Sequence, residues 1–460
     1  MKRLFPFGLL LVGLLSGCMV GPNYKRPEVD SPAAFRGADA VTTESLADLP
    51  WWDVFGDETL KGLVATALTN NYDLRIAVSR IEQASALETQ TRAGLFPAAG
   101  YDAQASRGRN ASLGNAVVNN KTGSTFLGDL NVAWELDLWG RIRRLDEAAQ
   151  AAYLASVETR RGVTLSLVSG VAQAYFELLA LDQLLEITRR NVESFKASLK
   201  IFDDRLRGGV ASKLETARAE AALASTEAVV PDLERQILLK ENQLNALLGR
   251  NPGPIPRAGS LLGQPLPAGV PAGLPSALLE RRPDIRAAEQ NLRAANAQIG
   301  AALGDMLPHI GLTTLFGGVS SDLADIASGK ARAWSLGATV AGPIFQGNRL
   351  AGRYRQTQAA RQEAELLYRQ AALTAFHDVS DALVSREKLE AMRVSQARAV
   401  EAYKQAVTVS LERYNAGRAA YFEVLEAQQQ LFPAENALVG TQLNQRLAVV
   451  QLYKALGGGW

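Results

Sequence analysis

The second half of this 460-residue chain repeats the first at a nearly constant offset, and that duplication limits the folds open to it. Arg205-Leu-Arg-Gly-Gly-Val-Ala-Ser-Lys-Leu214 aligns with Arg413-Tyr-Asn-Ala-Gly-Arg-Ala-Ala-Tyr-Phe422, a shift of 208 residues. The same shift carries Leu247-Leu248-Gly249 onto Ala455-Leu456-Gly457 and Gly140-Arg141 onto Asn348-Arg349. Phe96-Pro97 answers Leu307-Pro308 at a shift of 211. A period this long excludes a solenoid of many short stacked units. One large unit is used twice.

Each copy reads in the same order. A helix comes first, expected over 57–95 in one copy and 275–307 in the other, and Pro97 and Pro308 end them. A stretch with strand character follows, 98–139 and 309–345, each as two strands of about ten residues around a polar loop. Ten residues suit a tilted strand that crosses a bilayer. Ile310, Leu312, Thr314 and Phe316 alternate with mostly smaller residues, as do Leu130, Val132 and Trp134. Trp134, Trp139 and Trp334 fall where an interfacial aromatic girdle is expected.

Long helices come next. From Arg141 to about Arg207 there is no proline, and Leu165, Val168, Ala172, Tyr175 and Leu179 keep a 3-4 spacing that marks a helical seam. Such a helix is roughly 100 Å long. Glycine turns at Gly208-Gly209 and Gly417 separate these rods from return helices, expected from Ser212 to Leu248 and from Tyr421 to Leu456. Pro231 and Pro433 are expected to interrupt the return helices, since each costs about 3 kcal/mol unless the helix breaks or kinks; their offset of 202 sets them apart from the 208 repeat. The division is therefore a leader over 1–17, an N-terminal segment over 18–56, a first repeat over 57–250, a Pro/Gly-rich linker over 251–275 and a second repeat over 276–460.

Composition narrows the class. The hydrophobic fraction is 47% with only 7% aromatics, so the apolar content is largely Ala, Leu and Val, as in packed helices. A net charge of +2 does not fit a general nucleic-acid binder. One Cys and two His exclude a disulfide framework and a Cys/His zinc site, and no metal is expected. No nucleophile–base constellation stands out, so no catalytic residue is assigned and an enzyme is not expected; His309 and His377 read as structural.

The lone Cys carries information. Lys2-Arg3, the apolar run Leu4–Leu14 and Leu15-Ser16-Gly17-Cys18 read as a secretory leader ending in a lipobox. Cleavage before Cys18 and acylation of its sulfur would anchor the mature chain to a membrane, and this covalent lipid is the only non-protein group expected. Met19, rather than Asp, follows Cys18, which favours the outer membrane. Beyond the leader no transmembrane helix is expected, so any crossing must use β-strands closed into a barrel. Two hairpins give four strands, too few to close around a pore, so the chain must oligomerise. Three copies would supply twelve strands.

These residues resemble the outer-membrane factors of tripartite efflux systems, the TolC-like proteins, in the lipoprotein (NodT-type) branch typified by OprM. The resemblance rests on Cys18, Gly21-Pro-Asn-Tyr24, Trp51-Trp52 before Phe55, and Trp134-Glu-Leu-Asp-Leu-Trp-Gly-Arg141. Further on it rests on Glu280-Arg-Arg-Pro-Asp-Ile285, Pro343-Ile-Phe345 and Tyr453-Lys-Ala-Leu-Gly-Gly-Gly-Trp460. It implies a mixed α/β membrane protein: a homotrimer with a twelve-stranded outer-membrane β-barrel continued by an α-helical periplasmic barrel. It also implies a periplasmic membrane-fusion adaptor and an inner-membrane transporter of the RND type as partners, with the chain as a passive exit duct for drugs or other small molecules. Metal-ion efflux, type I protein secretion and a non-pore lipoprotein scaffold remain alternatives.

The resemblance further places a periplasmic gate at Phe422, Glu426 and Gln429. Phe422 and Glu426 lie one turn apart, so both can face a lumen, and three Glu426 carboxylates around an axis would favour cations. A solvated Glu426 and a tip-packing Phe422 are the competing reading. Gln429 stands where relatives often carry a charge. Gly208, Gly209, Val210, Ser212, Gly417, Arg418 and Ala419 are the expected adaptor contacts, although the same glycines are what any helix reversal needs.

Overall fold

A computed structural model of the chain describes residues 19–38, 44–51, 54, 56–109, 122–210, 212–263 and 271–458. The leader, Cys18, Trp52, Phe55 and Trp460, on which parts of the sequence reading fall, lie outside the described residues. Contacts divide the chain into two compact units, and each draws on both repeats. One unit comprises the segment up to Glu28, Ser79–Val157 and Ala287–Arg369; the other comprises Val29–Val78, Glu158–Arg286 and the chain from Gln370 onward.

The repeat is visible in the element boundaries. In the first copy α1 (Glu58–Asn70) and α2 (Tyr72–Ala93) are followed by β1 (Ala98–Arg109), β2 (Thr122–Leu136) and the 67-residue α3 (Arg141–Arg207). The return comprises α4 (Lys213–Glu227) and α5 (Val229–Leu247). The second copy has α6 (Leu278–Arg281), α7 (Pro283–Gly304) and β3 (His309–Ser320). After these come the short α8 (Leu323–Ala327), β4 (Arg332–Ala341), the 67-residue α9 (Arg349–Asn415) and α10 (Tyr421–Ala455). Gly140 and Asn348 precede the two long helices with φ of 75° and 64°, the same left-handed entry made once by glycine and once by asparagine.

Three expectations are corrected. The helix expected over 57–95 is two helices, and its counterpart over 275–307 is likewise interrupted. The breaks are at Asn71 (ψ 131°) and Arg282 (ψ 124°), the pair that the 211 shift aligns. Arg282 precedes Pro283, whose ring disfavours helix in the residue before it. Asn71 breaks the helix through its side chain: Oδ1 accepts from the Leu74 amide at 3.1 Å and caps α2. The first return helix is broken at Ala228, the interruption expected from Pro231. Pro231 has no N–H for the Glu227 carbonyl and its ring crowds that oxygen, so α4 ends there. Pro433, by contrast, lies inside an unbroken α10. Finally, α3 does contain a window long and apolar enough to cross a bilayer, but 67% of it is buried within the protein, as in a core helix.

The expected seam of α3 is core. Leu165, Val168, Ala172, Tyr175 and Leu179 are all buried. The Tyr175 hydroxyl donates to Asp57 Oδ2 at 3.0 Å, while Asp57 Oδ1 caps the first turn of α1 at 2.7 and 3.0 Å. The same hydroxyl accepts from the Ala258 amide at 3.3 Å, and Ile255 and Leu261 are buried. The described part of the Pro/Gly-rich segment is thus packed against this unit.

Candidate functional site

The four strands form one antiparallel sheet in the order β1-β2-β3-β4. Successive side chains alternate between faces, so the register sorts them. Tyr101 pairs with Leu130, Leu130 with Phe316 and Phe316 with Trp334, a row across all four strands. These four are 80, 64, 61 and 77% exposed. The same face carries Val132, Trp134, Leu136, Ile310, Leu312, Leu336 and Val340. The opposite face carries Asp102, Gln104, Asp129, Asn131, Glu135, Thr313, Ser335 and Thr339. There Asn131 Nδ2 donates to Asp102 Oδ2 at 2.6 Å and to Asp129 Oδ1 at 3.4 Å. An apolar face this continuous, covered by its own chain where Ile326 lies over Gly128 and Gly318 but open along the Tyr101–Trp334 row, marks a surface made for lipid or a partner. Its polar reverse suits water. The outer edges of β1 and β4 have no strand partner among the described residues.

At the end of the sheet that joins the long helices, two of the expected girdle tryptophans donate their indole N–H to backbone. Trp134 reaches Leu95 O at 3.0 Å and Trp139 reaches Pro308 O at 2.8 Å. A charged cluster lies alongside. Arg141 holds Glu135 at 2.9 Å, His309 Nδ1 lies 3.1 Å from Glu135 Oε1, and Arg353 holds Asp305 at 2.9 Å. Trp334 sits instead toward the far end, near the β3–β4 connection.

The residues just after Cys18 are strapped to the same unit. Fully buried Arg144 donates to Val20 O (3.1 Å), Gly21 O (3.2 Å) and Asn23 Oδ1 (2.8 Å) and pairs with Glu147 (2.7 Å). Asn296 donates to Pro22 O at 2.8 Å, and the Tyr24 hydroxyl donates to Glu289 at 3.2 Å with Arg293 over its ring. Burial, reinforced by the Glu289 charge, pushes the Tyr24 phenol up to about 12. Gly21, at φ 93°, has no room for a side chain, because a Cβ would lie 2.5 Å from Gly300 Cα. The motif Gly21-Pro-Asn-Tyr24 was visible in the sequence; Arg144, its main partner, was not singled out.

The two tips belong to the other unit. Both long helices end in a Schellman motif. Val210 N donates to Arg205 O (2.9 Å) around Gly209 (φ 74°), and Arg418 N donates to Arg413 O (2.8 Å) around Gly417 (φ 70°). Gly208 and Arg418 are exposed and Ala419 is half-buried. Val210 projects into solvent at 76% exposure. Ser212 begins α4 with a reciprocal capping box to Glu215, whereas Ala420 begins α10 with no side-chain cap. Beneath the turns Phe195, Phe202, Ala219, Tyr414, Tyr421, Val424 and Leu425 form one buried cluster. Phe202 lies 3.9 Å from the Tyr421 ring and 5.5 Å from the Tyr414 ring, and Arg205 stacks 4.2 Å from Tyr414. Sequence reasoning missed this cluster, although the 3-4 spacing of Tyr421, Val424, Leu425 and Gln428 carries it.

That buried stripe fixes the other side of α10. Phe422, Glu426 and Gln429 share one exposed stripe of its first turns. Gln428, on the buried side, donates to Ser194 and Ser198 of α3 at 3.0 and 3.1 Å. Glu435 meets Arg190 and Asn191, both at 3.4 Å. Pro433, lacking an N–H, leaves the Gln429 carbonyl without its helical donor. The stripe is thus held to a helix anchored by polar contacts on one side and weakened just above it.

A lipid-type sheet, a pair of long helical hairpins and a duplicated plan point to one family, and comparison with known proteins decides it. The family model for outer membrane efflux proteins matches residues 63–250 and 274–458. The chain belongs to the outer membrane efflux protein family. It is 35% identical to the solvent efflux pump outer membrane protein SrpC of Pseudomonas putida, over all of this chain and 98% of that protein. It is 31% identical to the cation efflux system protein CusC of Escherichia coli O6:H1, over all of this chain and 99% of that protein. Among solved structures, the outer-membrane channel OprN superposes with a TM-score of 0.90 at 31% identity, covering 96% of this chain and 100% of that one. In this outer membrane efflux protein the two matched stretches correspond to the two repeats. The sorted sheet is the part that meets the membrane.

Proposed function

We propose that three copies of this chain close a twelve-stranded barrel in the outer membrane, lined by the Asp102–Asn131 face, and pass small molecules outward without doing chemistry on them. The observation that carries this reading is the sheet with one apolar face, one polar face and two open edges. An open edge in hydrocarbon leaves N–H and C=O groups unpaired at several kcal/mol each, so β4 must meet β1 of another copy. Four strands running alternately up and down make that junction antiparallel at any copy number. The helices continue into the periplasm as the duct, with Met19 packed against Gly140 at the helix end of the sheet, where an acyl group on Cys18 would enter the inner leaflet.

At the tips, the exposed turns Gly208–Val210 and Gly417–Ala419 offer the surface for a periplasmic adaptor linked to an RND-type inner-membrane transporter. The stripe of Phe422, Glu426 and Gln429 narrows the lumen. Relatives named for solvent and cation efflux support a duct whose cargo is chosen by the pump.

Purified protein in planar bilayers tests the reading. Trimers should conduct, and Phe422→Ala with Glu426→Ala should raise the conductance several-fold. Well-folded trimers with no conductance would refute the duct, and an unchanged conductance in the double variant would refute the gate. Cys18→Ser should abolish acylation and leave the trimer intact.

A further inference from the structure

The charges of the sheet are sorted by face and by height. On the apolar face the charged strand residues are Arg107 and Arg109 of β1 and Arg332 of β4, opposite Ser124, Thr122 and Gly318. All three are exposed, and among the described residues none of their side chains makes a hydrogen bond or ion pair. The acidic strand residues, Asp102, Asp129 and Glu135, all lie on the other face. The arginines stand at the end of the sheet away from the long helices. Gly128, opposite Gly318, is eight residues from Leu136, and Ser124 is twelve. That is about 27 to 40 Å along a strand, or about 20 to 30 Å of height on a strand tilted by roughly 40°, which sets the arginines around the outer margin of an apolar band of about 25 Å. Trp334, two residues from Arg332 on the same face, lies one step of about 7 Å nearer the long helices.

Two carboxylates belong to the β3–β4 connection, and neither forms an ion pair with this rim. Asp322 caps Ala324 N at 2.9 Å, and Asp325 accepts from the Ser320 hydroxyl at 3.4 Å. Ile326 of the same connection packs over Gly128 and Gly318 of the central strands. The arginines lie on the two edge strands instead.

We propose that Arg332, together with Arg107 and Arg109 of the next copy across the β4–β1 seam, binds the phosphate groups of anionic lipid in the outer leaflet. The assignment rests on the barrel reading, which brings the two edges together. Guanidinium forks bind phosphate oxygens in pairs. A phosphate at the head of an acyl chain also places that chain on the apolar face beside Trp334 and Tyr101. A free anion gains nothing from that face, which commits the site to lipid.

The test uses the full-length trimer in phosphatidylcholine vesicles doped with brominated phosphatidic acid, reading tryptophan quenching with Trp334→Phe as the subtraction control. The wild type should enrich phosphatidic acid around Trp334 at least tenfold over brominated phosphatidylcholine. The enrichment should fall as salt rises. R107Q/R109Q/R332Q should lose the preference altogether, and R107K/R109K/R332K should keep part of it. Equal enrichment by the glutamine variant would overturn the proposal, as would displacement by millimolar inorganic phosphate. If the glutamine variant does not assemble, an enrichment in the wild type that ignores salt overturns it. Conductance measured on the same samples separates the two readings: conducting wild-type trimers without lipid preference sink this site alone, and non-conducting trimers sink the barrel.

Discussion

At the break between the first two helices of each repeat, Asn71 and Arg282 do one job with different chemistry; at the tips, matching turns are held in place by unlike residues. Asn71 Nδ2 donates to Leu247 O at 2.9 Å, and Arg282 Nη1 donates to Ala455 O at 3.1 Å. Those carbonyls are 208 residues apart and each ends a return helix. Gly249 and Gly457 follow them with φ of 66° and 74°, pressed against Asn70 and Arg282. The backbone geometry thus recurs while the side chains diverge. At the tips the two Schellman turns recur too, yet only the first has a capping box, and only the second carries an aromatic on an open stripe. Duplication preserved what the backbone requires and released the side chains for separate roles.

The sharpest break in the symmetry is Arg144, because the position 208 residues on is Gly352, with open space around it. The first long helix therefore clamps the start of the N-terminal strap through a residue that the second lacks, while the second holds the strap further on, where Tyr368 Oη accepts from Arg26 Nε at 3.1 Å. Arg144→Ala removes the donor to two half-buried carbonyls, to the exposed Asn23 side chain and to the Glu147 carboxylate, and should cost about 3 kcal/mol. Protease sensitivity at 19–30 and a lowered melting temperature would report it. Gly352→Ala should do neither. A strap that stays protected in Arg144→Ala would show that Asn296, Glu289 and Tyr368 suffice.

The break residues come next. Arg282 is buried and also pairs with Asp284 and Asp378 at 2.6 and 2.9 Å, so Arg282→Ala should cost about 3 kcal/mol. Asn71→Ala removes a cap and one hydrogen bond, about 1–2 kcal/mol. Denaturant midpoints of the two variants compare the repeats directly. Equal losses would mean that the ion pairs of Arg282 add nothing beyond the shared bond.

The element plan was legible in the sequence because proline, glycine and a long 3-4 seam act locally. The hairpins, both long helices and both turns follow from Pro97, Pro308, Gly209, Gly417 and the Leu165–Leu179 stripe. The break at Asn71 was missed although its cap on Leu74 is local; only its bond to Leu247 O, 176 residues away, was out of reach. The gate stripe was legible only by resemblance; the structure adds that Tyr421, Val424, Leu425 and Gln428 turn inward and leave Phe422, Glu426 and Gln429 outside. The arginine rim was out of reach, because face assignment across four strands needs the β2–β3 register between repeats.

Capping separates the tips by a smaller amount. Ser212→Ala should cost about 1 kcal/mol, and Ala420→Ser should gain about half that or more. Amide exchange in the first turns of α4 and α10 reads each effect locally. If Ala420→Ser stabilises its helix and also lowers conductance, the missing cap is what keeps the second tip loose enough to open.

The smallest expected effect lies in the same turn. The Tyr421 hydroxyl is buried without a hydrogen-bond partner. Burial, with the Glu215 charge adding to it, pushes the phenol up to about 12, against about 10 for an exposed tyrosine. Tyr421→Phe removes an unsatisfied polar atom and keeps the ring on Phe202, so near neutral pH it should be neutral or stabilising by up to about 1 kcal/mol. The pH dependence has a definite sign. Below pH 10 the phenol is protonated in both folded and unfolded chains and contributes no slope. Between about 10 and 12 the unfolded chain gives up its proton first, so the wild type loses stability as pH rises and the phenylalanine variant does not. Melting temperatures of the two should therefore diverge over that interval in favour of the variant. Parallel curves would mean that Tyr421 meets water or a partner in the assembled tip, and that the second turn is less tightly closed than the first.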